Sequence, residues 1–217
     1  MRKTLLAVAM ATVALLAPAA GTAMARDPIL FVHGWSESES VWNTMISTLS
    51  REGWTAAELN NWRYNTSQSN ERTASEIRTK VEAILRATGA SKVDLVTHSM
   101  GGLSSRYYLK NLAGTEKVDD WVSLGGPNHG TTTASFCFET SCVEMRVGST
   151  FLARLNEIDE TPGSVSYGTF WSNCDEIINP DESVLLTGAT NNAIGCVGHT
   201  AMLSDARVFP LVRTFVQ

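Results

Sequence analysis

The sequence predicts an α/β fold: a mostly parallel central sheet with helices on both faces, closed into a single minimal domain. Short apolar runs alternate with segments of helical periodicity along most of the chain, the pattern of a parallel sheet whose crossovers are helices. One such run, 93–96, passes directly into a serine set among small residues and then into a helical pattern. The length of 217 residues suits one domain, with no internal repeat, low-complexity stretch or Pro-rich linker to divide it.

The elements follow in order. Residues 29–32 are the first buried strand. Residues 40–49 put Val41, Trp42, Met45, Ile46 and Leu49 on one helical face. Residues 54–59 suggest a second strand. In 71–88, Ile77, Val81, Ile84 and Leu85 form one stripe, and Gly89 is placed to end the helix. Residues 93–96 are a third strand, 101–112 a helix closed near Gly114, and 118–124 a fourth strand. The polar, small-residue-rich stretch 131–150 reads as a long loop with at most a short helix. Residues 165–171 and 183–187 are expected strands, 193–196 a shorter one, and 205–216 the terminal helix.

Composition narrows the function classes. With 43% hydrophobic and 18% charged residues the chain has the makeup of a folded domain, and a net charge of -5 excludes a nucleic-acid binder that works by neutralising phosphates. Residues 1–25 read as an export signal: Arg2 and Lys3 lead an uncharged apolar run over 5–20, and Ala23-Met24-Ala25 offers the small residues of a cleavage site. Cleavage after Ala25 is expected, leaving 26–217 as a secreted, extracellular catalytic domain without an integral membrane span. All four cysteines lie beyond that point. An even number in an oxidising compartment favours disulfides, and their spacing matches no familiar zinc site. Loop proximity pairs Cys137 with Cys142 and Cys174 with Cys196.

The junction Thr97-His98-Ser99-Met100-Gly101-Gly102 carries the chemistry. A serine on a tight turn from buried strand to helix has its hydroxyl pushed out at the carboxyl end of the sheet, and small neighbours permit the strained turn. Thr97 stands where the usual pattern has a glycine. Ser99 is the expected nucleophile, and helix capping is its structural alternative. A serine hydroxyl needs a base to take its proton and a carboxylate to orient that base. Among four histidines, His98 is directed under the turn, His33 ends the first strand, and His129 follows the fourth. In the chain order nucleophile, acid, histidine, the base comes last, which selects His199. The acid belongs after a strand between the two. Asp119 and Asp120 open a strand at the wrong edge, Asp159 has no strand before it, and Asp175 is preferred to Asp181, which sits in a turn. A Cys174 to Cys196 bond would tie the acid's loop to that of the base. Two backbone N–H groups are needed for the developing oxyanion. Met100, after the nucleophile, and Trp35, in Val32-His33-Gly34-Trp35 after the first strand, are the expected donors.

Together with Leu124-Gly125-Gly126-Pro127-Asn128, Asp175 and Gly198-His199, these pieces resemble the small secreted bacterial lipases, class 2 and of minimal-lid type, in the α/β-hydrolase superfamily. The resemblance spans essentially the whole expected mature chain. It implies Ser99, His199 and Asp175 as nucleophile, base and acid, the Trp35 and Met100 amides as oxyanion hole, no cofactor or metal, and little or no helical lid. The chain departs from it in the cysteine-bearing loop 131–150 and in Pro127-Asn128-His129-Gly130, which is closer to that of larger bacterial lipases. The expected substrate is an acylglycerol or other carboxylic ester, including polyester or phospholipid, met at a lipid–water interface by a monomer. Leu103, Met100, Trp35, Phe136, Phe138 and Trp171 are candidates for an apolar acyl groove. A non-catalytic lipid-binding relative and a secreted peptidase or amidase are the alternatives from other classes, separated by ester and amide turnover.

Overall fold

A computed structural model describes residues 26–217. The expected export signal and its cleavage point fall on 1–25 and lie outside the described residues. Among the described residues the sheet has six strands, all parallel, in the order β2-β1-β3-β4-β5-β6. They are β1 (Ile29–Val32), β2 (Leu59–Asn61), β3 (Val93–His98), β4 (Val118–Leu124), β5 (Ser166–Trp171) and β6 (Thr190–Ala193).

The expected helices 40–49, 71–88, 101–112 and 205–216 are present as α1 (Asn43–Arg51, preceded by a 3-10 turn over Glu39–Trp42), α2 (Asn70–Thr88), α3 (Gly101–Asn111) and α6 (Val208–Phe215). Ser69 caps α2 by accepting from Arg72 N–H, and Gly89 ends it in the left-handed conformation at φ +75°. Two apolar cores result. On one face α2 and α3 bury Ile77, Val81, Leu103 and Leu109 against Leu95 and Trp121; on the other the 3-10 turn before α1, α1 itself and α6 bury Trp42, Leu49, Val208 and Val212 against Phe31 and Val122.

Four expectations need correction. The second strand is 59–61 and not 54–59: Trp54 is buried as a core side chain, while the strand itself pairs through backbone and carries Asn60 and Asn61. The last strand is 190–193 and not 193–196, and is also polar. Both are edge strands, hydrogen-bonded on one side only, so neither requires an apolar run. Residues 183–187 are no strand: a 3-10 turn covers Asp181–Val184, and Val184 and Leu186 are buried by a loop that side chains hold in place, Asn128 Nδ2 donating to Val184 O at 2.7 Å. The stretch 131–150 is more helical than expected, with a 3-10 turn at Thr132–Phe136 and α4 at Thr140–Met145, after which α5 spans Thr150–Asn156. Small amphipathic pieces of this kind are too short to show a period. Both expected disulfides are formed, with Cα atoms 5.8 Å apart for Cys137–Cys142 and 4.8 Å for Cys174–Cys196.

Candidate active site

The carboxyl ends of the central strands gather the predicted residues at one place. Ser99 directly follows β3 and holds φ at +53°, the left-handed region that a serine adopts only when its surroundings enforce it. The surroundings do. Ser99 N–H donates to Leu124 O at 2.9 Å, and a Cβ on Gly101 would stand 2.5 Å from Val32 O and 2.7 Å from His33 O. A side chain at that position would push the turn off β1. Thr97, in the place of the usual glycine, is fully buried and donates its hydroxyl to Val122 O at 2.8 Å, so the larger side chain is absorbed by the neighbouring strand.

Asp175 and His199 meet as expected, one residue after Cys174 and three after Cys196, the two cysteines of a disulfide with a sequence separation of 22. His199 Nδ1 and Asp175 Oδ2 are 2.8 Å apart, with Nδ1–H the donor, and both residues are buried. Asp175 Oδ1 accepts the backbone N–H groups of Ile177 and Ile178, each at 2.9 Å. Burial pushes this carboxyl up, but the His199 hydrogen bond and charge, with the two amides, outweigh it and hold Asp175 below the usual carboxylate range. Ser172 braces both loops, its hydroxyl accepting from Cys174 N–H at 3.0 Å and Val197 N–H at 2.8 Å. Asp181 starts the 3-10 turn at 181–184, and among the described residues it makes no hydrogen bond with His199. His129 pairs on the surface with Glu160 at 2.7 Å.

The Trp35 and Met100 amides flank the same place, and among the described residues neither donates to a protein acceptor. The loop that carries Trp35 is fastened by aromatic stacking of His33 on Tyr64 at 4.1 Å and by the Tyr64 hydroxyl donating to His33 O. His33 Nδ1–H donates to Gly34 O at 3.0 Å, and burial holds the His33 ring below the usual imidazole range, which favours this neutral form.

Two contributors, Glu37 and Glu176, have no local sequence signal, and a third, Gly125, is marked in the sequence only as part of the stretch 124–128. Glu37 receives Gly34 N–H at 2.6 Å and pairs with His98 at 3.0 Å. Glu176 receives His199 N–H at 3.0 Å. Gly125, at φ +56°, backs the Asp175–His199 pair so closely that a Cβ would stand 3.0 Å from Asp175 Oδ2 and 3.1 Å from His199 Nδ1. Their chemistry depends on approaches across long stretches of chain, such as the 61 residues between Glu37 and His98.

Ser99 and His199 open on one cleft of about 260 Å³, walled by Trp35, Thr133, Ala134, Met145, Ile177 and Ile178. The expected acyl-groove residues are otherwise disposed. Trp35 lines the cleft, but Met100 and Leu103 are core, Trp171 does not reach it, and Phe136 and Phe138 stand 86% and 82% exposed. The wall is supplied instead by the short helices of 132–145 and by the residues just after Asp175.

Comparison with known proteins agrees with this geometry. The family model described as lipase (class 2) matches residues 26–195. Triacylglycerol lipases of Pseudarthrobacter phenanthrenivorans and Vibrio cholerae are 28% and 29% identical over 120 and 119 residues, 52% of this chain in each case. The aligned part is 37% and 36% of those proteins, so the chain matches little more than a third of their length. The mature form of Bacillus licheniformis lipase BlEst2 superposes with a TM-score of 0.80 at 19% identity, covering 90% of this chain and 94% of that one. Aspergillus fumigatus lipase B gives 0.74 at 18% identity, over 86% of this chain and 51% of that one. The fold is thus the α/β-hydrolase fold, and the chain belongs to the class 2 lipase family.

Proposed function

We propose that the chain is an exported carboxylic ester hydrolase, with triacylglycerols as the first substrate class, acting through Ser99, His199 and Asp175. The observation that carries this reading is the 2.8 Å Asp175–His199 pair on the same cleft as a serine held at φ +53°. Ser99 Oγ attacks the ester carbonyl while His199 takes its proton, and Asp175 fixes the imidazole tautomer and stabilises the cation formed. The oxyanion is received by the Trp35 and Met100 amides, each worth about 3 kcal/mol in such a site. His199 protonates the leaving alcohol, and water, deprotonated by the same histidine, then releases the acid from the acyl-enzyme.

Membership of a lipase family and the triacylglycerol lipases among the relatives support the ester as substrate. Ala134, Met145, Ile177 and Ile178 offer an apolar wall to one acyl arm of modest length. Phe136, at the end of the 3-10 turn 132–136, and Phe138, inside the Cys137–Cys142 loop, are both exposed and suit contact with a lipid surface. The leader expected over 1–25 and the two disulfides support export. No described helix is long and apolar enough to cross a membrane.

A series of p-nitrophenyl and glycerol esters of increasing acyl length, assayed below and above their solubility limits, tests the reading. Ester turnover abolished in Ser99→Ala, with the far-ultraviolet circular dichroism unchanged, is the expected result. Full turnover in that variant would end it. Faster turnover of amides than of the matched esters would replace it with an amidase.

A further inference from the structure

A second carboxylate–histidine pair lies beneath the proposed catalytic one. Glu37, in the turn after β1, accepts Gly34 N–H at 2.6 Å through Oε2, and both of its oxygens lie 3.0 Å from His98 Nδ1. His98 is fully buried, and its other ring nitrogen, Nε2, faces the backbone carbonyl of His199 at 3.1 Å. The two imidazole rings pack with centroids 4.6 Å apart. Both nitrogens of His98 thus face oxygen atoms, a carboxylate on one side and a main-chain carbonyl on the other. One continuous chain of contacts therefore joins the loop that presents the Trp35 amide to the main chain of the base. Gly34 itself has no room for a side chain: a Cβ there would stand 2.8 Å from Ser99 Cβ and 2.9 Å from Glu37 Oε2.

We infer that Glu37, acting through His98, is a positioning residue that sets the oxyanion-hole loop and the backbone of His199 in register with each other. The inference rests on the proposed roles of Ser99, His199 and the Trp35 amide. Nothing in it requires Glu37 to touch substrate. Its work is geometric, because a small misplacement of either group relative to the reacting carbonyl lowers the rate without weakening ground-state binding. Burial pushes the Glu37 carboxyl up, but the His98 hydrogen bond and charge and the Gly34 amide outweigh it and hold it below the usual range, in keeping with a carboxylate committed to these two partners.

The test compares Glu37→Met, which keeps the volume and removes both acceptors, with Glu37→Gln, whose carbonyl can still accept from Gly34 N–H while its amide donates to His98 Nδ1. In the second variant the His98 ring keeps its Nε2–H for the His199 carbonyl. On a soluble p-nitrophenyl ester Glu37→Met should lower kcat by about 10- to 100-fold with KM within about threefold. Glu37→Gln should restore kcat to within about threefold of the parent. Wild-type kcat in Glu37→Met overturns the inference, and so does an equal loss in both variants, which would assign the effect to charge. If Glu37→Met does not fold, His98→Leu, which removes both ring nitrogens and with them the link to the His199 carbonyl and leaves the Gly34 bond to Glu37, must show the same loss in kcat at constant KM, and its absence is equally fatal. Ser99→Ala on the same ester separates the two levels. Turnover surviving there overturns the triad and this inference with it, whereas loss there together with an unimpaired Glu37→Met overturns only the inference.

Discussion

At the scale of single residues, the site consists of a few side chains whose neighbours leave them little freedom. Asp175 has one oxygen on His199 and the other on two amides, so Asp175→Asn keeps the shape and reverses the hydrogen-bond sense toward Nδ1. A fall in kcat of about 10⁴ is expected from the wrong tautomer. Asp181→Asn, on its 3-10 turn, should stay within about twofold of the parent in the same ester assay, and a crippled Asp181→Asn with an active Asp175→Asn would reverse the assignment. Gly125→Ala places a methyl group against both members of the pair and strains a backbone at φ +56°. It should lower kcat at least 10-fold and cost roughly 1–3 kcal/mol in urea unfolding. Ser99, His199 and Asp175 are legible in sequence because the fold fixes their order and the strand ends fix their places. Glu37 and Glu176 are not, because an acidic residue in a turn has many ordinary reasons to be there, and Gly125 is legible as part of the stretch 124–128 but not as the wall behind the Asp175–His199 pair.

At the scale of elements, the legible strands are those buried on both faces. β1 reads as an unbroken apolar run and β3 and β4 as apolar runs broken by Asp94 and by Asp119-Asp120, because helices cover each side; β1 and β4 span the expected residues, while β3 continues two residues past 96 to His98. The edge strands β2 and β6 are held by backbone pairing to one neighbour, and Asn60, Asn61, Asn191 and Asn192 carry no trace of a strand in their side chains. Conversely Val184 and Leu186 look like strand residues and are loop residues packed into the core. The Cys174–Cys196 bond ties the loops after β5 and β6, which bear Asp175 and His199, the proposed acid and base. Replacing both cysteines with serine removes a constraint on a 22-residue separation and should cost about 3 kcal/mol, seen as a drop in Tm of roughly 10 °C. Esterase activity measured well below the new Tm should fall as well, since the two loops set the Asp175–His199 geometry. A lowered Tm with unchanged kcat would make the bond a plain staple.

At the scale of the whole molecule, the two ends of the sheet are electrostatically unlike. The carboxyl end holds Asp175 and Glu37 below the usual carboxylate range, so the stability they contribute is present above the unfolded-chain value and lost as pH falls through their folded values. The amino end holds Asp94, buried on β3 with Asp120 and Asp27 nearby; burial first, then those charges, push its carboxyl up to about 9. Folded protein therefore keeps a proton there that the unfolded chain releases. The sign is the opposite one: its contribution is complete below the ordinary carboxylate range and declines as pH rises from there toward about 9. Asp94→Asn preserves an acceptor for Asp120 N–H and removes the titration, so it should raise Tm by several degrees at pH 8 and by little at pH 4, with esterase activity unchanged. A Tm gain independent of pH would contradict that account. An activated p-nitrophenyl phosphonate checks whether Ser99 is the nucleophile of an ester hydrolase. One equivalent of p-nitrophenol should be released per chain, with the phosphonyl group located on Ser99 by peptide mass spectrometry and ester turnover lost in proportion. Stoichiometric inactivation with the label on any other residue, or full turnover by protein labelled at Ser99, would contradict it.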